Sequence, residues 1–398
     1  MISSSSSASS TSSGSFSNFL VISDIHLEES SSHIMEINPT KGNSDNDLDF
    51  PTFQKLIATI HNHIQTGAID KPQFIIILGD MVGHLRTSTD SVVKSESLVF
   101  STLKNTFPLT PIFYVFGNND SIQANYGPFH SPDQTKTQES PFEIAKTLGN
   151  WKNGFLSTGT KCEINNKLFP CILSENIQNG FYSARLKSKL RLISLNSVLF
   201  SPKRTLVAAQ DASYQLEWLD KELNLAEKNN ESVLIAMHIP PGMNVYDNSS
   251  FWLPDEQNKF ISIIKSHSNH IIAILASHTH AEELKIIRDK SDKPLETIFF
   301  TAALSTSHGN VPSVKTFYLL KNNKKWRIDN YETYNFTDNQ NNLTLNFLYD
   351  YKSYYGRENL TGNLADKMKR YFSAGNPNFS GVMKFPEDVS LPNGRGSE

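Results

Sequence analysis

The sequence predicts an α/β chain folded as a two-sheet sandwich with flanking helices, on three observations. Up to about residue 280, short apolar runs of strand length alternate with runs of helical apolar spacing, the pattern of βαβ units. Beyond residue 280 the runs are mostly strand-like, which adds strands without helices between them. Five of the runs stop at Asp, Asn or His, so polar side chains collect at strand exits, the edge where α/β sheets place ligands.

The first strand is Phe19-Leu-Val-Ile-Ser, leaving through Asp24-Ile-His26. Residues 28 to 50 are rich in Ser, Asn and Asp and read as a long loop at the sheet rim, a common place for a binding feature. Phe53 to Ile64 has helical spacing, with Gly67 as its stop. His61 and His63 on that helix read as surface residues. The run Phe74 to Leu78 is apolar throughout, as in a strand buried on both faces, and ends at Gly79-Asp80. Taken alone, Asp80 could simply open a turn.

A helix is expected from about Ser91 to Leu103, then a strand from Ile112 to Phe116 closing in Gly117-Asn118-Asn119-Asp120. Residues 121 to 170 give mixed signals, with a helix expected over Pro141 to Leu148. Residues 180–185 and 190–195 read as paired strands ending at Asn196. Asp211 to Asn229 is an amphipathic helix with Leu216, Leu219, Leu223 and Ala226 on one face. The strand Ser232 to Met237 ends in His238-Ile-Pro-Pro-Gly242. After a helix from Glu256 to Ser266, the strand Ile271 to Ala276 ends in Ser277-His278-Thr279-His280. Further strands are expected at 284–288, 297–302 and 314–320, and a helix near 363–372.

These elements divide the chain into a Ser-rich disordered leader (1–17), a catalytic domain (18–328) and a C-terminal, partly helical extension packed on it (329–398). The leader has neither the positive nor the apolar region of a signal peptide. A formal net charge of −3 argues against general nucleic-acid binding. No apolar run approaches the ~18 residues of a membrane span. Cys162 and Cys171 are too few for a disulfide scaffold, and their spacing is not that of a zinc ribbon. Whether they pair is open, and so is the compartment.

Together the exits supply Asp24, His26, Asp80, Asn118, His238, His278 and His280. Mixed imidazole and carboxylate donors suit zinc, with manganese or iron as alternatives. Seven are too many for one tetrahedral ion but suit two ions ~3.5–4 Å apart sharing a carboxylate. Alternate residues of an extended chain point the same way, so Asp-x-His and His-x-His could each grip one ion from a strand end.

The five blocks Asp24-Ile-His26, Gly79-Asp80, Gly117-Asn118-Asn119-Asp120, His238 and His278-Thr279-His280 resemble those of the calcineurin-like metallophosphoesterases. The stretches Gly180-Phe-Tyr, Leu192-Ile-Ser-Leu-Asn196, Asp211-x3-Gln215-x2-Trp218-Leu219 and His238-Ile-Pro-Pro-Gly242 are similar to the acid sphingomyelinase-like branch. So are Asn310 with Pro312 and residues 329–334. The resemblance covers residues 19 to 372 and implies the metallophosphoesterase sandwich. It also implies one ion on Asp24, His26, Asp80 and His280, and another on Asp80, Asn118, His238 and His278, with Asp80 bridging. Hydroxide attack on phosphorus and protonation of the leaving alkoxide complete the implied chemistry.

Two positions depart from the family pattern. Asn119 stands where the family has histidine; it can donate to a phosphoryl oxygen but cannot deliver a proton, and Asp120 loses the imidazole it would orient. Ser277 replaces a usual glycine, a minor change unless φ must be positive. His84, four residues after Asp80, matches a histidine of the sphingomyelinase-like branch tied to leaving-group protonation; the plain alternative is a solvated loop residue. His33, His130 and His308 lie on loops with nothing to single them out.

The favoured reading is a two-metal phosphodiesterase acting on a choline phospholipid or a nucleotide-like diester or pyrophosphate. The alternatives are a phosphomonoesterase or polyphosphatase, and a metal-binding pseudoenzyme motivated by Asn119. The partner is a phosphorylated small molecule or lipid headgroup; oligomeric state is not legible. By resemblance alone, the protein would be secreted, extracytoplasmic or endolysosomal.

Overall fold

A computed structural model describes residues 15–28, 47–85, 88–129, 140–142, 144, 163–164, 167–168, 170–204, 208–244, 247–288, 291, 294–339, 342–355 and 387–389. The predicted helices near 363–372 and over most of 141–148 lie outside them.

The first strand, β1 (Ser15–Ile22), leads to helix α1 (Phe50–Thr66). The Asp49 side chain caps α1 by accepting from the Thr52 amide at 2.6 Å, and Pro51 suits the first turn, so the helix starts before Phe53. Phe53, Leu56, Ile57, Ile60 and Ile64 form its buried face, and Gly67 ends it in the left-handed conformation at φ 78°. Next come β2 (Ile75–Ile77), α2 (Thr89–Thr106) and β3 (Ile112–Tyr114). A short hairpin follows, β4 (Glu163–Ile164) with β5 (Lys167–Leu168). Then come β6 (Cys171–Asn176), β7 (Phe181–Lys187), β8 (Leu190–Ser194) and α3 (Ala208–Lys228). The strands β9 (Ser232–Ala236) and β10 (Ile271–Ala276) flank α4 (Pro254–His267). The chain closes with β11 (Leu284–Arg288), β12 (Pro294–Phe300), β13 (Ser313–Asn322), β14 (Lys325–Asn339), β15 (Asn342–Asp350), α5 (Tyr351–Tyr355) and β16 (Glu387–Val389).

The expected two sheets are present. One is ordered β15-β14-β13-β1-β2-β3 and the other β16-β11-β12-β10-β9-β8-β7-β6. β1, β2 and β3 run parallel, as do β8, β9, β10 and β12, so the exits of both parallel cores carry the predicted polar blocks. The sheets meet where Phe317 of β13 packs against Phe299 of β12, ring centroids 5.8 Å apart, with Phe19 stacked behind at 5.1 Å.

Two predicted boundaries need correcting. Ser15 to Ser17 are not leader: they pair with Leu319 to Lys321 inside β1. The 328/329 boundary falls inside β14, which with β15 continues the first sheet. The Tyr- and Asn-rich composition concealed β14, which lies between β13 and β15 and mixes buried with half-buried residues, and the edge strand β15.

An ion pair that the sequence did not signal lies between the sheets. Lys315 of β13 is fully buried; its ammonium contacts the Glu282 carboxylate, donates to the Phe300 carbonyl at 2.7 Å and lies 4.3 Å from the Tyr331 ring centroid. Burial pulls the Lys315 ammonium below its ordinary value, with Glu282 opposing. The Tyr349 hydroxyl also donates to Glu282, at 2.6 Å. Lys315→Met is expected to destabilise the fold by about 3–5 kcal/mol, because it strands a carboxylate in the interior. Urea unfolding measures this, and adding Glu282→Gln should recover part of the loss. A single variant within 1 kcal/mol of wild type, on the order of a surface change, would contradict the pair's role.

Candidate metal centre

The exits do not continue as strands. Asp24 (φ 46°), His26 (φ 48°), Asp80 (φ 50°), His278 (φ 77°) and His280 (φ 61°) all have left-handed backbones. Such conformations cost of order 1–3 kcal/mol each in non-glycine residues and gather where function holds them. The Asp-x-His and His-x-His pairs therefore do not converge by strand alternation, as the spacing suggested. Each of these five residues sits on a sharp turn past its strand. Backbone bonds lace these turns together: the His26 amide to the Asp80 carbonyl at 3.0 Å, Asp24 to Gly79 at 3.1 Å, and Ala303 to His280 at 3.2 Å.

Two glycines make the approach possible. A Cβ on Gly117 would lie 2.1 Å from Asp80 Oδ1, and one on Gly79 would lie 2.7 Å from the Gly117 nitrogen, at a φ of 95°. Asp120 ties the same two exits. Its carboxylate accepts from the amides of Gly117 (2.7 Å), Met81 (2.7 Å) and Asp80 (2.9 Å). It is thus occupied by backbone rather than left without an imidazole. Burial, with Asp80 nearby, pushes its carboxyl up to about 6.

Six of the seven predicted ligands come together, and Asn118 lines the same cavity as His278. Asp24, His26 and His280 form one group of candidate donor atoms, and Asp80, His238 and His278 another, each within 4.8 Å. Asp80 Oδ2 faces both, 3.2 Å from His238 Nε2 and 3.7 Å from His26 Nε2. His238 Nδ1 donates to the Leu78 carbonyl at 2.7 Å and His280 Nδ1 to the Ser307 carbonyl at 3.3 Å, so Nε2 is the nitrogen of each that faces inward. His26 and His280 oppose Nε2 to Nε2 at 3.0 Å, a contact that needs a cation or proton between them. Asn118 Oδ1 is buried with no hydrogen-bond partner, while its amide donates to Asn125 at 2.9 Å.

The electrostatics agree. Burial drives His278 and His280 down to about 3, His238 and His26 respectively adding repulsion, so both are neutral donors. Burial opposes charge on His238 too, but Asp80 and Asp24 outweigh it and bring it up to about 9. Burial likewise raises Asp24 and Asp80, and the surrounding histidines overcome it, leaving both ionised. Two ionised carboxylates among four imidazoles make a donor set that fits a pair of divalent cations.

Asn119 and His84 are placed differently. Asn119 is buried, and its amide donates to Asp80 Oδ2 at 2.9 Å while its backbone N–H reaches Oδ1 at 2.8 Å. It orients the central carboxylate and does not line the cavity, contrary to the expected substrate contact. His84 does line the cavity, with its side chain 44% exposed, and its ring stacks on His26 at 4.3 Å. It is no plain solvated residue: its Nδ1 lies 2.8 Å from Asp47 Oδ1, and its backbone N–H donates to Oδ2.

Sequence reasoning missed several neighbours. Asp47, buried, also accepts from Ser307 Oγ at 3.0 Å, and burial and His84 act oppositely on it, leaving it below the usual carboxylate range. It sat unmarked among the acids of the predicted rim loop. Ser277 is not minor, since its hydroxyl reaches the Asp24 carboxylate. His308 (φ 61°) packs 4.7 Å from His280, ring to ring. Tyr126 OH lies 3.4 Å from His278 Nε2. The cavity over the centre measures about 500 Å³, with Lys203, Asn244 and Phe251 on its outer wall. Elsewhere, Cys171 is disulfide-bonded. Cys162, His33 and His130 lie outside the described residues.

The Metallophos family, calcineurin-like phosphoesterase, matches residues 17–282. The chain is 28% identical over 265 residues to the cyclic GMP-AMP phosphodiesterase SMPDL3A of Bos taurus, covering 62% of this chain and 53% of that one. To sphingomyelin phosphodiesterase 1 of Caenorhabditis elegans it is 24% identical over 296 residues, covering 72% and 48%. The chain thus spans about half the length of these curated relatives. A dimetal phosphatase from Danio rerio aligns over 80% of this chain and 95% of that one, at 14% identity and a TM-score of 0.46. With the family matched over most of the chain and the five blocks meeting at one centre, the protein belongs to the calcineurin-like phosphoesterases.

Proposed function

We propose that the chain is a two-metal phosphodiesterase. The observation that carries this reading is the pair of adjoining donor groups, Asp24/His26/His280 and Asp80/His238/His278, with Asp80 between them. Asn118 would complete the second group through its unpartnered oxygen. Zinc suits the imidazole-rich set best, with manganese or iron next. When bound, two such ions polarise the phosphoryl group and lower the pKa of a water molecule.

The chain's own residues supply the rest. Asn119 and Asp120 hold Asp80 and its turn. Asp47 engages Nδ1 of His84, so the nitrogen left to serve the cavity is Nε2. A proton carried at Nε2 can pass to the leaving alkoxide oxygen as the P–O bond breaks. This dyad replaces the histidine absent at position 119 and favours turnover over binding alone.

Purified protein with zinc or manganese is expected to hydrolyse bis(p-nitrophenyl) phosphate, and chelation with EDTA to abolish the activity. Faster cleavage of the monoester would favour a phosphomonoesterase. Inertness across metals and pH would favour a pseudoenzyme. The disulfide at Cys171 supports maturation in an oxidising compartment, in keeping with a secreted or endolysosomal setting. Among the described residues no helix is long and apolar enough to cross a membrane.

A further inference from the structure

The outer wall of the cavity carries a charge pattern that the hydrolytic chemistry does not use. Among the described residues lining it, Lys203 bears the full charge and none is a carboxylate. Lys203 Nζ lies 5.2 Å from the Tyr126 ring centroid, and the hydroxyl of that tyrosine lies 3.4 Å from His278 Nε2. The ammonium therefore stands one tyrosine ring away from the metal centre. Tyr126 is itself in the left-handed region at φ 58°, and its backbone N–H donates to the Asn118 carbonyl at 3.0 Å. A strained tyrosine bonded back to a ligand-bearing turn is a fixed platform. The nearby exposed Asp247 feels Lys203, but its carboxylate already accepts from the Ser249 amide and hydroxyl at 2.9 and 2.7 Å.

The second aromatic of the wall, Phe251, also faces a lysine: Lys285 Nζ lies 4.7 Å from its centroid. A quaternary ammonium headgroup binds by lying on aromatic faces, helped by carboxylates. Here Tyr126 and Phe251 each already meet a lysine ammonium, and the described lining offers no anion. A choline headgroup would meet like charge, whereas a second phosphate would meet the Lys203 ammonium and the Asn125 and Asn244 amides.

We propose that Lys203, held over Tyr126, forms a subsite for a second phosphate, so that the centre selects substrates with two phosphates over choline phosphodiesters. This rests on the phosphodiesterase reading. The subsite draws the non-reacting phosphate to the wall while the scissile one lies at the proposed metal centre. Because Lys203 is exposed, the preference should weaken as salt screens it.

The test compares thymidine 5′-(p-nitrophenyl phosphate), the same ester bearing a 3′-phosphate, and p-nitrophenylphosphocholine, which share one leaving group. Wild type should show the lowest KM for the bisphosphate ester and the highest for the choline ester. Lys203→Met should erase roughly three- to tenfold of the bisphosphate advantage in KM, and Lys203→Arg should retain it. A choline preference, or an advantage undiminished in Lys203→Met, overturns the proposal. Calorimetry with thymidine 3′,5′-bisphosphate against thymidine 5′-monophosphate separates the two readings. Tighter bisphosphate binding that depends on Lys203, in a protein inert to every ester, would sustain the subsite and sink the hydrolase. Equal binding would sink the subsite whatever the turnover.

Discussion

Asp80→Asn is expected to lower zinc- or manganese-supported hydrolysis of bis(p-nitrophenyl) phosphate by at least about 10³-fold, since it removes central charge from a site working by preorganised electrostatics. Asp80 is the carboxylate that faces both donor groups, and both its oxygens are already used by Asn119 donors. An asparagine has one acceptor oxygen for those two N–H groups and no charge for the cations. The same variant should lose most of the rise in unfolding temperature that added metal produces, because that rise depends on affinity for the folded state. Activity near wild type, or an unchanged metal-induced rise, would show that Asp80 is not the shared ligand.

His84→Ala should reduce turnover of alkyl phosphodiesters by about 10²–10⁴-fold, the range for losing a general acid. Loss on nitrophenyl esters should be far smaller, because nitrophenolate leaves without a proton. His84→Gln is the sharper variant, since its amide can still donate to Asp47 but cannot deliver a proton. Asp47→Asn should follow the same leaving-group pattern to a lesser degree, because it disturbs the ring's orientation and leaves Nε2 in place. Equal losses on alkyl and nitrophenyl esters would remove His84 from the proton transfer and leave it a structural neighbour of His26.

Much of this was legible in one dimension. The helix over Phe50–Thr66 followed from its apolar spacing and Gly67, and the paired strands β7 and β8 from their apolar runs. The seven proposed metal ligands were legible because each follows a buried strand. The alternation of β14 breaks at a bulge around Asp329, where its register on β13 shifts, so β14 was cut at 328/329 and its continuation into β15 unseen.

Residue type and order along the chain were enough to specify the donor chemistry: carboxylate, imidazole and amide at five strand exits. The way those donors meet belongs to the tertiary structure, because it depends on left-handed turns at Asp24, His26, Asp80, His278 and His280, which no spacing rule encodes. The partners that give Asn119, Asp120 and His84 their positions likewise come from contacts across 37 to 40 residues of chain. Asp47, Lys203 and Tyr126 acquire meaning only there, since a loop residue's surroundings are set by what folds against it rather than by its neighbours in sequence.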